Sequence, residues 1–193
     1  MKPGISAVIV VKDQLELLKK CLKSIHNWVD EIIIIDLEST EDVKSLATFY
    51  KTKYYPHKLV PIVELIRQES LKYVEHEYVL FIDPDETIPA TLAEDLSAKI
   101  KLGEFDFFVT PRQNYIFGKW VRHSRWWPDL QTRVFRHDKV TWGTTLHAEA
   151  VAIGDGYTYD AIESFAIHHE NYRTLDDFLT KNMRYAKRMP WSV

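Results

Sequence analysis

Short apolar runs alternate with amphipathic stretches through the first half of the chain. Three runs are nearly continuous in Ile, Val, Leu and aromatic residues: 5–11, 31–36 and 77–82. Such runs are typical of strands that are buried on both faces of a parallel sheet. A fourth strand is a weaker prediction within residues 51–60, because Pro56 interrupts that segment.

Stretches with helical periodicity separate these runs: 15–25, 43–50, 62–75 and 87–101. Three of the four have a candidate N-terminal cap just before or within the first turn: Asp13 for the first helix, Ser39 or Thr40 for the second, and Thr87 for the last. Strands and helices in alternation predict an α/β fold with a mixed, mainly parallel sheet flanked by helices.

The second half has a different pattern of apolar and polar residues, with fewer helical stretches. Residues 105–111, 130–136 and 163–169 resemble strands, separated by aromatic and polar segments, and an amphipathic helix is predicted over residues 174–188. No repeat or linker is visible. The chain of 193 residues is therefore expected to form one domain, 1–193, with a first functional half at 1–103 and a second at 104–193.

Composition excludes several classes of protein. A net charge of −3 gives no reason to expect a nucleic-acid partner. The single cysteine, Cys21, rules out a disulfide framework and lies in a helical pattern, where a packed thiol is expected. No signal peptide and no apolar window of membrane-spanning length is visible. These features predict a cytoplasmic protein.

Two aspartates follow a predicted strand directly. In VLFIDPDET, Asp83 and Asp85 are spaced by one residue, and Asp36 ends an earlier strand. Ligands bind at the carboxyl ends of strands in such sheets, and paired carboxylates suit Mg²⁺ or Mn²⁺ with its bridged phosphates. Two plainer interpretations stay open: a strand-to-helix turn fixed by Pro84, and a helix cap at Asp36.

The ordered set of segments resembles a known family. AVIVVKDQLELLKKCLKSI, EIIIIDLEST, RQESLKY and EYVLFIDPDET, followed by RQNYIFGKWVRHSRWWPDLQTRVFR and HHENYRTLDDFL, are similar to the family 2 glycosyltransferases of the GT-A fold. The likeness is greatest to the bacterial branch that builds lipopolysaccharide cores and related glycans. It implies a GT-A-like, Rossmann-related domain that moves a sugar, with inversion, from a nucleotide-diphospho-sugar to a glycan or lipid-linked acceptor. The implied donor is a UDP-sugar and the implied cofactor Mn²⁺ or Mg²⁺.

The resemblance also implies roles for individual residues. Asp36 would contact the nucleotide base, and Arg67 would lie near the base or the phosphates. Asp83 would approach the ribose or the phosphates, and Asp85 would coordinate the metal that bridges the diphosphate. The chain departs from the family at residues 12–14, where Lys-Asp-Gln stands in place of the usual Asn-Glu.

Inverting sugar transfer needs a general base that takes the proton of the acceptor hydroxyl. Asp129, expected in a loop just before a strand and flanked by aromatic residues, is the candidate. A turn aspartate after Pro128 is the alternative. Arg133 shares one strand face with Gln131 and could hold a phosphate.

A histidine from the second half often completes the metal site in GT-A enzymes. His147 is the candidate here, with Glu149 on the same predicted strand face. An ordinary surface or core histidine is the alternative. His168 and His169 are weaker candidates, because adjacent strand residues point to opposite faces, one inward and one outward.

Two rival functions are consistent with parts of the sequence. FIDPDET matches the Asp-x-Asp-x-Thr signature of haloacid-dehalogenase-type phosphatases, in which Asp83 would be the nucleophile and Asp85 the acid and base. About 80 residues of α/β pattern precede it, whereas that signature usually opens its domain. The second rival is a nucleotide- or glycan-binding module without catalysis.

The last predicted helix is basic. Lys181, Arg184, Lys187 and Arg188 are spaced three or four residues apart. Such a helix can lie peripherally on an anionic membrane, where a lipid-linked acceptor would be found. The alternative is a helix that packs on the sheet through its apolar residues: Leu175, Phe178 and Leu179.

Overall fold

The computed structural model describes residues 1–60, 63–142 and 150–188. The strands are β1 (Lys2–Val11), β2 (Glu31–Asp36), β3 (Lys53–Pro56), β4 (His76–Phe81), β5 (Glu86–Thr87), β6 (Phe107–Ile116), β7 (Lys119–Trp120), β8 (Asp129–Arg136), β9 (Val140–Trp142), β10 (Ala150–Ala152), β11 (Gly156–Thr158) and β12 (Ile167–Tyr172). The helices are α1 (Leu15–Ile25), α2 (Val43–Phe49), α3 (Glu64–Ser70), α4 (Ala90–Leu102) and α5 (Leu175–Arg188), with 3₁₀ turns at Leu71–Tyr73 and Glu163–Phe165.

One mixed sheet runs through both halves of the chain. Its order is β3-β2-β1-β4-β8-β6-β12-β5, with β7 and β11 also paired to β6. The first four strands are parallel, and β8 joins β4 and β6 antiparallel. Strands β9 and β10 form a separate pair. The predicted α/β class, with a mainly parallel sheet flanked by helices, is confirmed, while the division into two functional halves stays a prediction.

The first strands are apolar along their length because both of their faces are covered. Ile9 and Leu80 lie in one core cluster with residues of α1 and α4, whereas Val8 and Phe81 lie in a second cluster on the opposite face. Trp142 belongs to the second cluster, with its ring 4.6 Å from that of Phe81. It is 8% exposed, so its side chain is part of the core.

The predicted helix caps are wrong. Gln14, in a left-handed conformation, precedes α1 without a side-chain cap. Asp42, rather than Ser39 or Thr40, caps α2 by accepting a hydrogen bond from the amide of Ser45 at 3.0 Å. Thr87 lies in β5, where it pairs with His168. Asp13, Ser39 and Thr40 hydrogen-bond to one another across two loops, so they are not available as caps.

Helix α5 packs on the sheet less than predicted. Leu175, Phe178 and Leu179 are 62%, 38% and 46% exposed, and the Phe178 ring contacts that of Tyr172 with centroids 5.0 Å apart. The packing prediction for this apolar stripe is therefore wrong for most of its surface. Within the three described ranges, no helix is both long and apolar enough to cross a membrane.

Candidate active site

Strand register brings the predicted aspartates to one edge of the sheet. Val11 of β1 pairs with Asp36 of β2, and Val8 of β1 pairs with Phe81 of β4. The chain after Phe81 therefore leaves β4 at the edge where β2 ends. Two strand spacings separate β2 from β4, which is about 10 Å. That distance is within the length of a bound nucleotide.

Asp36 is a buried carboxylate with two protein partners. Its Oδ1 accepts a hydrogen bond from the Ser39 amide at 2.9 Å, and its Oδ2 accepts one from the Tyr54 hydroxyl at 2.7 Å. The hydrogen bond to Asp36 raises the pKa of Tyr54 to about 12. Asp36 thus organises the turn after β2, but it is not the helix cap of the plainer interpretation, because Asp42 caps α2. Each oxygen keeps a lone pair, and the contact with a nucleotide base stays a prediction.

The two loops beside Asp36 are fastened to each other. The Oδ1 atom of Asp13 accepts a hydrogen bond from the Thr40 amide at 2.6 Å, and the Asp13 amide donates to Ser39 Oγ at 2.7 Å. Asp13, Gln14 and Glu38 have positive φ angles of 59°, 67° and 56°. Residues without glycine's freedom adopt this conformation at a cost of about 1 kcal/mol each. Residues 12–14, which depart from the family's Asn-Glu pattern, are therefore strained and are hydrogen-bonded to residues 39–40. These two hydrogen-bonded loops form a clasp.

Asp83 lies between two guanidinium groups. Arg67 Nη2 is 2.7 Å from Oδ1, and Arg133 Nη2 is 2.8 Å from Oδ2. Burial raises the pKa of Asp83, but the charges of Arg67 and Arg133 outweigh it and hold that pKa well below its usual range. Asp83 is therefore ionised and fixed by both oxygens. This arrangement disfavours the phosphatase interpretation, which needs Asp83 as an accessible nucleophile.

Arg133 faces the protein interior. Its Nη2 atom also contacts Oε1 of the fully buried Glu86 at 2.5 Å, and its Nε is buried without a hydrogen-bond partner among the described residues. The predicted phosphate contact of Arg133 stays a prediction. The contacts present in the structure are those of a side chain that positions two carboxylates, Asp83 and Glu86.

Asp129 is the first residue of β8, not a loop residue as predicted, and pairs with Arg112 of β6. Its Oδ2 lies 2.7 Å from Arg112 Nη2 and accepts from Asn114 Nδ2 at 2.8 Å, while its Oδ1 accepts from Gln131 at 2.7 Å. Burial raises the pKa of Asp129, but the charge of Arg112 and the hydrogen bond from Asn114 lower it by more. The pKa of Asp129 is therefore below its ordinary value. The carboxylate is ionised at neutral pH, the form that a general base requires.

Glu86 and Arg112 connect the two aspartates, and sequence reasoning missed both. Arg112 Nη1 is 2.9 Å from Glu86 Oε1, the oxygen that also contacts Arg133. Acidic and basic side chains therefore alternate without a break from Asp83 to Asp129. Glu86 directly follows the Asp-x-Asp pair, and Arg112 lies in an otherwise strand-like segment, so each had a visible but weak signal.

His169 lies beside Asp85. Strand β12 pairs with β6, with His169 opposite Asn114. His169 Nε2 is 3.5 Å from Asp85 Oδ2, and its Nδ1 is 2.6 Å from Asn114 Oδ1. His168 points outward and His169 inward, as predicted. The histidine preferred from the sequence, His147, and its neighbour Glu149 lie outside the described residues.

Asp85 and His169 offer an oxygen and a nitrogen donor to a cation. This donor pair suits Mn²⁺ and is acceptable to Mg²⁺, which both keep water and phosphate oxygens as further ligands. In the part of the chain that the structure describes, no group of three or more His, Cys, Asp or Glu side chains is arranged around one metal position. The two residues therefore fit an open metal site whose other ligands come from the substrate and water.

A cavity of about 540 Å³ opens beside Asp85. Its walls include the aromatic side chains of Tyr115, His168 and Tyr172. Lys20 and Glu170 also line it and form an ion pair at 2.5 Å. Aromatic rings with polar groups at the rim are the usual lining of a site for a sugar or another small polar molecule.

Comparison with known proteins adds independent information. The model of glycosyl transferase family 2 matches residues 6–167. The SPbeta prophage-derived glycosyltransferase SunS of Bacillus subtilis is 23% identical over 188 residues, which cover 94% of this chain and 43% of SunS. An uncharacterized glycosyltransferase of Rickettsia felis is 29% identical over 94 residues, covering 48% of this chain and 32% of that protein. The chain thus spans less than half the length of these relatives.

Solved structures share the fold. S. aureus TarS (residues 1–349) in complex with UDP superposes with a TM-score of 0.65 at 16% identity, covering 97% of this chain and 65% of that one. The mannosyltransferase PcManGT from Pyrobaculum calidifontis, in complex with GDP-Man and Mn²⁺, gives a TM-score of 0.65 at 14% identity, with 97% and 62% covered. At these identities the likeness establishes the architecture alone.

Proposed function

Because this chain belongs to glycosyl transferase family 2, we propose that it transfers a sugar, with inversion, from a nucleotide-diphospho-sugar to a hydroxyl acceptor in a reaction that depends on a divalent cation. One observation carries the proposal. The candidate metal ligands Asp85 and His169 lie 3.5 Å apart, and Asn114 hydrogen-bonds both to His169 and to the candidate base Asp129.

Asp129 is proposed as the general base. It accepts the proton of the acceptor hydroxyl as that oxygen attacks the anomeric carbon. Arg112 and Gln131 hold the carboxylate in place, because Arg112 binds Oδ2 and Gln131 donates to Oδ1.

Asp85 and His169 are proposed to hold Mn²⁺ or Mg²⁺, and His147, the histidine predicted from the sequence, stays a proposed further ligand. A bound cation would stabilise the negative charge of the departing nucleoside diphosphate. Arg67 and Asp83, paired at 2.7 Å at the same edge, are proposed to contact the base, ribose or phosphates of the donor.

A UDP-sugar is the first donor to test. The structural neighbours were solved with UDP and with GDP-Man, so the shared architecture accepts either nucleotide. The acceptor is proposed to be a glycan or a lipid-linked glycan. The cavity beside Asp85 supports this proposal, because Tyr115 and Tyr172 can stack against the faces of a sugar.

Asp85→Asn tests the proposed metal site. The substitution keeps the size of the side chain and removes its charge, so we expect Mn²⁺-dependent binding of UDP to fall at least tenfold and turnover to be lost. Calorimetric titration of UDP and GDP, each with and without Mn²⁺, measures the effect. Binding of a nucleotide also raises the melting temperature, which gives a second readout.

Asp95→Asn is the matched control for this experiment. Asp95 lies on α4 and pairs with Lys99 at 2.7 Å, away from the strand edge. Its variant should bind nucleotide like the wild type. Equal Mn²⁺ dependence in Asp85→Asn and wild type would reject the metal assignment. A wild-type protein that binds nucleotide and a glycan but never turns over would identify a binding module instead.

We also propose that α5 contacts an anionic membrane surface through its exposed apolar stripe. Leu179→Gln should weaken sedimentation with vesicles that contain phosphatidylglycerol, and the wild type should bind more at low than at physiological salt. Leu102→Gln is the control, since Leu102 is an exposed leucine on another helix: it lies at the end of α4 and is 68% exposed, against 46% for Leu179. Absence of wild-type binding at both salt concentrations would overturn this proposal.

A further inference from the structure

Asn114 is a fully buried polar residue in the middle of the candidate site. We propose that it is a positioning residue that orients the general base and the metal-binding histidine with a single side-chain amide. The inference rests on the proposed function, since it gives Asn114 a role in that reaction. It concerns how Asp129 and His169 are held relative to each other.

The partner on one side fixes which way the amide points. Asn114 Nδ2 is 2.8 Å from Asp129 Oδ2. An ionised carboxylate can only accept hydrogen bonds, so the NH₂ group of Asn114 must face Asp129. The carbonyl oxygen then has one direction left, toward His169.

The amide orientation in turn fixes the tautomer of the histidine. Asn114 Oδ1 is 2.6 Å from His169 Nδ1, and an amide oxygen only accepts hydrogen bonds. His169 Nδ1 must therefore carry a hydrogen. In the neutral imidazole, the lone pair then lies on Nε2, the atom 3.5 Å from Asp85 Oδ2. Metal-binding histidines are held in this way, with the second ring nitrogen donating to an acceptor.

The strand arrangement makes this link rigid. Strand β6 lies between β8 and β12, so Asn114 sits on the strand between those that carry Asp129 and His169. Its amide supplies a donor on one side and an acceptor on the other. A carboxylate would supply acceptors only, and an aliphatic side chain would supply neither.

Two substitutions separate the two contacts. Asn114→Asp keeps an acceptor for His169 but turns a second carboxylate toward Asp129. We expect its affinity for Mn²⁺ to stay within about threefold of wild type while the turnover number falls at least 100-fold. Asn114→Leu removes both contacts, so Mn²⁺ affinity should fall about 10- to 100-fold as well. Titration of each protein with Mn²⁺ alone, followed by electron paramagnetic resonance, gives the affinity without any turnover.

Thr110→Val is the matched control. Thr110 is buried on the same face of β6, and its hydroxyl makes a long 3.4 Å contact with the backbone oxygen of Gln131. It should leave Mn²⁺ affinity and turnover unchanged. Should Asn114→Leu fail to fold, Asn114→Asp decides alone: loss of both properties, or of neither, overturns the inference. A wild-type protein without Mn²⁺ binding or transfer would instead reject the proposed function.

Discussion

Asp129→Asn is expected to lower the turnover number of sugar transfer by about 10²- to 10⁴-fold, the usual contribution of a general base. Asparagine keeps the shape of the side chain, and its single carbonyl oxygen can still accept a hydrogen bond from Arg112. Its NH₂ group would then face Gln131, and the side chain cannot take up a proton. Donor affinity should stay near the wild-type value, since a base acts in the chemical step. Steady-state kinetics with a UDP-sugar, together with calorimetry of UDP binding, measures both quantities.

Asp106→Asn is the control for this variant. The Asp106 and Asp129 side chains are both 22% exposed and both pair with an arginine. Asp106 pairs with Arg136, at the other end of the strands, so its substitution should not change turnover. A different pattern, with weakened donor binding and normal turnover in Asp129→Asn, would show that Asp129 positions the donor and that the base lies elsewhere.

Glu86→Gln is expected to destabilise the protein by about 3–5 kcal/mol, the cost of removing one partner from a buried ion pair. The Glu86 side chain is fully buried, and its Oε1 contacts both Arg133 at 2.5 Å and Arg112 at 2.9 Å. Without the charge of Glu86, the buried guanidinium of Arg133 and the partly buried guanidinium of Arg112 lose their shared counter-ion. Urea unfolding followed by circular dichroism measures the change in the free energy of unfolding.

Glu163→Gln provides the comparison. Glu163 also pairs with an arginine, Arg122, but the two side chains are 67% and 59% exposed. An exposed pair of this kind contributes less than about 1 kcal/mol. If both substitutions lower the free energy of unfolding by the same small amount, Glu86 does not hold the buried network together. Loss of turnover without loss of stability would place Glu86 in the chemistry instead.

The fold was largely predictable because its strands are buried on both faces. The continuous apolar runs around Ile9 and Ile34 match β1 and β2, since parallel strands covered by helices have no polar face to interrupt the run. The shared edge of Asp36, Asp83 and Asp85 followed from the same reasoning. Local propensity was less informative for caps, because polar residues such as Asp13 and Thr40 can bond to distant loops as readily as to the adjacent helix.

The composition of the site depended on strand pairings that a single sequence does not encode locally. Asn114 and His169 are 55 residues apart and become neighbours through the β6–β12 pairing. Glu86 and Arg112 are 26 residues apart and meet through a side-chain contact across the sheet. For the same reason the weaker histidine candidate, His169, came to lie beside Asp85. Periodicity gives the face that a residue occupies, but not which strand lies next to it.

The clasp between Asp13 and Thr40 has a consequence for how donor preference can change. The residues closest to the predicted nucleotide position lie on two loops that are joined to each other, whereas Asp129, Asn114 and His169 lie on three adjacent strands. Under the proposed function, nucleotide selectivity and sugar transfer would therefore depend on separate parts of the protein. To change the proposed nucleotide preference, both loops of the clasp would have to be exchanged together, and the strands that carry Asp129, Asn114 and His169 could be kept.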